Sequence, residues 1–268
     1  MRSLLVFWMI ALLVTWGTGM LVAVSDQGAL VNGVHVSNGA LPLPMWLAIL
    51  LLLVSGSGPA IAAMIVSAGE ARGRRVAALL GQVTRWRSWW GWYAVALLLP
   101  TVLTLLAVGL WAGATGSRPQ RWLALPRAFQ LFGLPIFPWG EEIGWRGFAQ
   151  PRLQAVLGWV PASVGVGVMW GLWHQWPLLT SAANGLDLVG VGIFVVYIVS
   201  AAVLIGWLYN RAGGKLPLGW AGHAGLNLVG ASTAPFGLVA ALFGGAALGV
   251  ALVDGRRLDG QLRSATLP

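Results

Sequence analysis

Eight long apolar segments dominate this sequence and restrict its fold more than any other feature. They cover residues 4–24, 42–67, 91–113, 128–149, 160–179, 188–209, 216–232 and 236–253. A helix needs about 20 predominantly apolar residues to cross a bilayer, and lipid leaves no partners for the backbone groups of an open sheet. The sequence therefore predicts an all-α, polytopic membrane bundle of about eight transmembrane helices, forming a single domain over residues 1–268.

Composition supports a membrane environment and excludes several classes of function. Of 268 residues, 58% are hydrophobic and only 9% are charged, whereas a soluble domain carries about 25% charged residues. The net charge of +9 comes from basic residues that punctuate the apolar runs, which is the pattern of membrane loops and not of a nucleic-acid interface. We therefore expect the lipid bilayer, and no nucleic acid, as a partner. Cysteine is absent, which excludes disulfides and thiolate chemistry.

The basic residues also predict an orientation. They gather in the loop 69–90, in predicted turns at 150–158 and 210–215, and in the C-terminal tail. With eight crossings these segments fall on the same side as Arg2, and only Arg118, Arg121 and Arg127 fall opposite. The positive-inside rule then places both termini in the cytoplasm, at the plasma membrane if the source is bacterial. Residues 72–90 mix arginine with apolar residues, as an interfacial helix does.

Two adjacent carboxylates interrupt the fourth apolar segment. Five acidic residues lie in predicted loops or at predicted helix ends, but Glu141 and Glu142 do not. Glu142 and Arg146 are four residues apart, so a helix brings them together as an ion pair, whereas Glu141 points about 100° away. Ionisable groups inside membranes are functional by default, although a purely structural ion pair is equally compatible with the spacing. We expect Glu141 to be the reactive carboxylate and Glu142 with Arg146 to support it.

Two of the three histidines also lie in apolar segments. His174 is in segment five, and His223 is in segment seven with Asn227 one helical turn later. Under the predicted topology His174 is deeper than Glu141 and His223, so convergence of the three requires a tilted helix or a later start of segment five. His35 lies in a polar external loop, and we expect it to be exposed. Each histidine alone is typical of an inter-helix hydrogen bond, but the set favours one polar site.

These residues form three ordered motifs that resemble the CPBP family (CAAX protease and bacteriocin-processing, or Abi) of intramembrane proteases. The motifs are Glu141-Glu142-Ile-Gly-Trp-Arg146, Trp170-Gly-Leu-Trp-His174 and His223-Ala-Gly-Leu-Asn227, within residues 125–230. Trp170 stands where the family usually has Phe, and we expect it to be a packing element. The resemblance implies an endopeptidase related to the prenyl-protein CAAX enzymes, acting on a peptide or protein at the membrane. It implies that Glu141 activates water, that His174 orients that water, and that His223 and Asn227 stabilise the oxyanion.

The sequence leaves the metal and the activity open. Glu141, His174 and His223 are a competent ligand set for catalytic zinc. Asn227 is a poor zinc ligand and a good amide donor, which favours glutamate-dependent chemistry with no cofactor. A non-catalytic immunity or scaffolding protein of the same fold would have kept fewer of these residues. A proton-coupled transporter would use similar residues but would show inverted repeats, and the two halves show no convincing symmetry.

Overall fold

Helices make up every regular element of the computed structural model, apart from one isolated bridge between Ser25 and Leu41. The structure describes residues 1–28, 41–71, 74–120, 122–123, 133, 136–175, 187–229 and 232–266. His35, Arg121 and Arg127 lie outside the described residues. The helices are α1 (Arg2–Ala23), α2 (Met45–Gly56), α3 (Gly58–Ala71), α4 (Arg74–Leu80), α5 (Trp90–Thr115), α6 (Phe137–Gly144), α7 (Gln150–Leu157), α8 (Trp159–Trp173), α9 (Leu188–Arg211), α10 (Leu216–Leu228) and α11 (Phe236–Thr266).

The predicted all-α membrane bundle is confirmed, but only some of its described helices are long enough to cross a bilayer. Within the described parts of the chain, α1, α5, α9 and α11 are long and apolar enough to cross a bilayer, and α2 with α3 is a fifth candidate if the bent pair is one span. The other apolar segments are helical where they are described, yet α8 has 15 residues and α10 has 13. Such lengths fall short of a full crossing. In the described residues, the eight predicted segments thus give four or five candidate spans with shorter helices packed between them.

The segment predicted as one helix over 42–67 is broken at Ser57. Helices α2 and α3 meet there at 61°, and the sequence Gly56-Ser57-Gly58-Pro59 supplies the small residues and the proline that favour such a break. Helix α6 packs into this bend: a Cβ at Gly140 would lie 2.8 Å from the Gly56 carbonyl oxygen. The two backbones touch directly, and this contact fixes the helix that carries Glu141.

A turn predicted at 150–158 is instead helical as far as Leu157. Helix α6 continues through a π-helical turn, Trp145–Ala149, into α7. The chain turns at Gly158, whose φ of 84° is left-handed and favours glycine. The π turn directs Trp145 and Phe148 onto Phe7 of α1, with ring centroids 5.6 and 4.9 Å apart. Arg146, in the same turn, is fully buried.

One end of the bundle collects the segments predicted to lie on one side. Glu70 at the end of α3 pairs with Arg75 and, across 2.9 Å, with Arg152 of α7. Gln154 and Asn210 exchange amide hydrogen bonds of 3.0 and 3.1 Å. These contacts join the 69–90, 150–158 and 210–215 segments at a single end, and the cytoplasmic location of that end stays a prediction.

Two further expectations about polar segments were wrong. Asp254, expected in a loop or at a helix end, is buried inside α11, where it binds Arg211 across 3.0 Å and accepts a hydrogen bond from the Trp207 indole. The interfacial helix expected over 72–90 is shorter: of the described residues 74–89, only Arg74–Leu80 is helical. Asp254 is paired inside the bundle, and such partners cannot be read from local hydropathy.

Candidate active site

Glu142 lies at the centre of a buried polar cluster between α6 and α10. Its Oε1 accepts a hydrogen bond from Arg146 Nη1 at 2.7 Å, and both side chains have zero solvent exposure. The ion pair predicted from the four-residue spacing is thus present. The same Oε1 lies 3.0 Å from Nδ1 of His223. Because a carboxylate can only accept, Nδ1 of His223 is the donor, so Glu142 fixes the tautomer of an imidazole on another helix.

Glu141 faces the other edge of the same imidazole. Its Oε1 lies 3.7 Å from Nε2 of His223, which is too long for a hydrogen bond and leaves this oxygen without a hydrogen bond from the described residues. Its Oε2 accepts a hydrogen bond of 2.6 Å from the indole Nε1 of Trp170. Glu141 is buried, with 6% of its surface exposed. The two neighbouring glutamates therefore differ among the described residues: Glu142 is paired with a cation, whereas Glu141 has one oxygen bound by Trp170 and one oxygen with no hydrogen bond.

His174 approaches the cluster from the end of α8. Its Nδ1 lies 3.0 Å from the backbone oxygen of Trp170, and since a carbonyl only accepts, Nδ1 carries the proton and Nε2 is free to accept. Its ring and that of His223 both pack on the Trp170 indole, with centroids 5.7 and 4.9 Å away. The two histidines therefore lie around one tryptophan, although their predicted depths in the membrane differed.

Asn227 lies one turn beyond His223 on α10. It is half-buried and makes no hydrogen bond with the described residues, so its amide remains available to a bound molecule. On the opposite side of His223, Trp220 stacks on Trp139 of α6 with ring centroids 5.6 Å apart. The edge of Trp86 contacts both rings at 5.7 and 5.9 Å. Apolar rings therefore border the polar cluster one helical turn away.

Helix α10 can reach Glu142 because it presents a glycine there. A Cβ at Gly219 would lie 2.9 Å from Oε2 of Glu142, which is closer than such contacts normally allow. The absence of a side chain lets the backbone of α10 approach α6 and places His223 one turn later against Glu142.

Zinc does not fit this arrangement of side chains. Within the described parts of the chain, no three His, Cys, Asp or Glu side chains come close enough together to hold one metal ion. We therefore assign no catalytic step to a metal.

Sequence reasoning missed two contacts of this site. Trp170 was expected only to pack, and its indole instead donates to Glu141. Glu142 was expected to serve as support with Arg146, and it also binds His223. A signal for the first was present in the sequence, because Trp carries a donor that Phe lacks. No local signal indicates the second, since residues 142 and 223 meet only through helix packing.

A bundle of apolar helices enclosing a carboxylate–imidazole cluster defines the molecule as an integral membrane protein with a buried polar site. Residues 123–229, which include every residue of that cluster, match the family described as type II CAAX prenyl endopeptidase Rce1-like. Over these residues the chain is therefore similar to a family of CAAX prenyl endopeptidases, and the matched stretch contains all three motifs. No curated protein matches the chain.

Proposed function

We propose that this protein is an intramembrane endopeptidase that hydrolyses a peptide bond of a membrane-associated substrate with water activated by Glu141. The observation that carries the proposal is Oε1 of Glu141, which has no hydrogen bond from the described residues and lies 3.7 Å from Nε2 of His223 in a buried cluster. A general base needs an unoccupied oxygen close to groups that can hold its water and the developing charge. The match of residues 123–229 to a family of CAAX prenyl endopeptidases supports the reaction class.

The proposed reaction begins with water held between Oε1 of Glu141 and Nε2 of His174. Glu141 takes a proton from this water while the oxygen attacks the substrate carbonyl carbon, which gives a tetrahedral oxyanion. The protonated Glu141 then transfers the proton to the leaving amine, and the peptide bond breaks. Each proton removed from water is thus returned to a product, and no further reactant is needed.

Asn227 and His223 are proposed to stabilise the oxyanion. The side-chain amide of Asn227 is a donor with no bond to the described residues. Because Nδ1 of His223 already donates to Glu142, Nε2 donates only in the imidazolium form, in which both ring nitrogens carry protons. Preorganised donors of this kind contribute about 10²–10³ in rate each. Glu142 and Arg146 act indirectly, because they hold Nδ1 of His223 and so direct its other nitrogen towards Glu141.

The substrate is proposed to be a peptide or protein at the membrane, with a prenylated CAAX-type C-terminus as the first candidate. We further propose that the protein is multi-pass, lies in the plasma membrane of a bacterial source, and has both termini in the cytoplasm. The motif-bearing core, residues 125–230, belongs in this proposal to a single domain over 1–268.

Cleavage by purified protein in detergent or proteoliposomes tests the proposal. Wild type and Glu141→Gln are incubated with matched prenylated and unprenylated peptides and with a leader peptide, and the products are identified by mass spectrometry. We expect wild-type cleavage and a loss of about 10²–10⁴ in rate for Glu141→Gln, which is the range for a general base. Glu70→Gln is the matched control, because Glu70 is paired with arginines outside the site. Equal cleavage by wild type and Glu141→Gln would refute the assignment.

A further inference from the structure

Trp170 makes a contact that a packing residue does not make. Its side chain is 1% exposed, and its indole Nε1 donates a 2.6 Å hydrogen bond to Oε2 of Glu141. A buried carboxylate without partners is costly, and no other described residue donates a hydrogen bond to the side chain of Glu141. The indole is therefore the group that determines which oxygen of Glu141 is bound and which is free.

The same residue contacts the other polar members of the cluster. His223 packs on the indole with ring centroids 4.9 Å apart, and the Arg146 guanidinium lies 5.0 Å from the ring centre. The backbone oxygen of Trp170 accepts the hydrogen bond from His174 Nδ1 at 3.0 Å. One residue of α8 thus binds Glu141 through its side chain and His174 through its backbone.

We propose that Trp170 is a positioning residue that holds Oε2 of Glu141 through its indole N–H and thereby presents Oε1 as the base. This inference rests on the proposed role of Glu141 in proteolysis. A hydrogen bond donated to a carboxylate stabilises its ionised form, and the ionised form is the one that can accept a proton from water.

The ionisable groups around Glu141 are few, so the effect of one hydrogen bond can be resolved. Glu142 and Arg146 follow it on the same helix, His223 faces it from α10, and His174 approaches from the end of α8. Helices α2 and α3 pack on the other face of α6, and their one ionisable residue, Glu70, is paired with arginines at the far end of α3.

Trp170→Phe tests the inference, because Phe keeps an aromatic ring against His223 and removes only the N–H. We expect the acid limb of the kcat pH profile to move to higher pH by about 1–2 units, the equivalent of one hydrogen bond to a charged group. KM should change less than kcat, since the indole holds the base and not the substrate. Trp207→Phe is the matched control, because it removes an indole N–H that donates a hydrogen bond of 2.7 Å to the carboxylate of Asp254. The pH profile of this variant should coincide with that of wild type.

A second measurement is independent of cleavage. Infrared difference spectra between wild type and Glu141→Gln, recorded across pH, isolate the C=O stretch of protonated Glu141. In Trp170→Phe this band should appear at higher pH than in wild type. A Trp170→Phe protein with unchanged pH profile and unchanged infrared titration would overturn the inference while leaving the proposed function intact. Absence of wild-type cleavage, together with a shifted infrared titration, would instead refute the proteolytic function and keep the Trp170 contact.

Discussion

Removal of Arg146 should destabilise the protein strongly, because it leaves a buried negative charge without its cation. Glu142 and Arg146 are both fully buried and joined across 2.7 Å. Loss of one partner from such a pair costs about 3–5 kcal/mol. After Arg146→Met, Glu142 would keep only the 3.0 Å contact with His223. We expect a loss near the lower end of that range, measured as the free energy of unfolding by SDS titration in mixed micelles.

The double variant Glu142→Met/Arg146→Met should be more stable than Arg146→Met alone. Two guanidinium nitrogens of Arg146, Nε and Nη2, have no hydrogen-bond partner among the described residues, so the native pair itself carries a desolvation cost. Replacement of a whole buried pair by apolar residues is often neutral or stabilising. The double variant should nevertheless be inactive, because Nδ1 of His223 loses its acceptor. Stability and activity would thus respond in opposite directions.

The exposed pair Arg75–Glu70 provides the comparison. The Arg75 side chain is 56% exposed and Glu70 keeps Arg152 as a second partner, so Arg75→Met should cost no more than about 1 kcal/mol. The reasoning would be refuted if Arg146→Met cost as little as Arg75→Met, or if the double variant were as unstable as the sum of its single substitutions.

Two further predictions concern the close approach of α10 to Glu142 and the proposal that catalysis needs no metal ion. Gly219→Ala places a Cβ 2.9 Å from Oε2 of Glu142 and should lower kcat/KM roughly tenfold, equivalent to about 1.4 kcal/mol. Gly245→Ala, where a Cβ meets nothing within 4 Å, should retain wild-type kinetics, and equal kinetics of the two variants would contradict the prediction. Activity should survive chelation with zinc below one equivalent by elemental analysis, whereas stoichiometric zinc with loss of activity on its removal would favour the metallo-enzyme.

Hydropathy and spacing were sufficient to predict the fold class and the local pairing in the site. A deficit of charge over so many apolar segments leaves few alternatives to a membrane helix bundle. The pairing of Glu142 with Arg146 depends only on helical geometry, so a four-residue spacing predicts it. Even the π turn that begins at Trp145 does not prevent the contact, because Arg146 lies at its start.

Contacts between helices could not be predicted in the same way. The bond from Trp170 to Glu141 joins residues 29 positions apart, and the bond between His223 and Glu142 joins residues 81 apart. Their distances depend on where α8 and α10 end and on how closely glycines let α6 approach its neighbours. The rule that a membrane helix needs about 20 residues was also misleading for the helices that carry the site. Such a helix need not cross the bilayer when longer helices surround it.

The position of His174 at the end of the short helix α8 helps to explain which of its ring nitrogens carries the proton. A helix end leaves carbonyl groups without intrahelical partners, and such groups are costly away from water. Helix α8 ends after 15 residues, and at this end the oxygen of Trp170 accepts from both the backbone N–H of His174, at 3.2 Å, and its Nδ1, at 3.0 Å. The imidazole therefore adds a second hydrogen bond to a carbonyl in the last turn of α8 and keeps its other nitrogen as an acceptor. This contact at the helix end thus sets the tautomer that the proposed reaction requires.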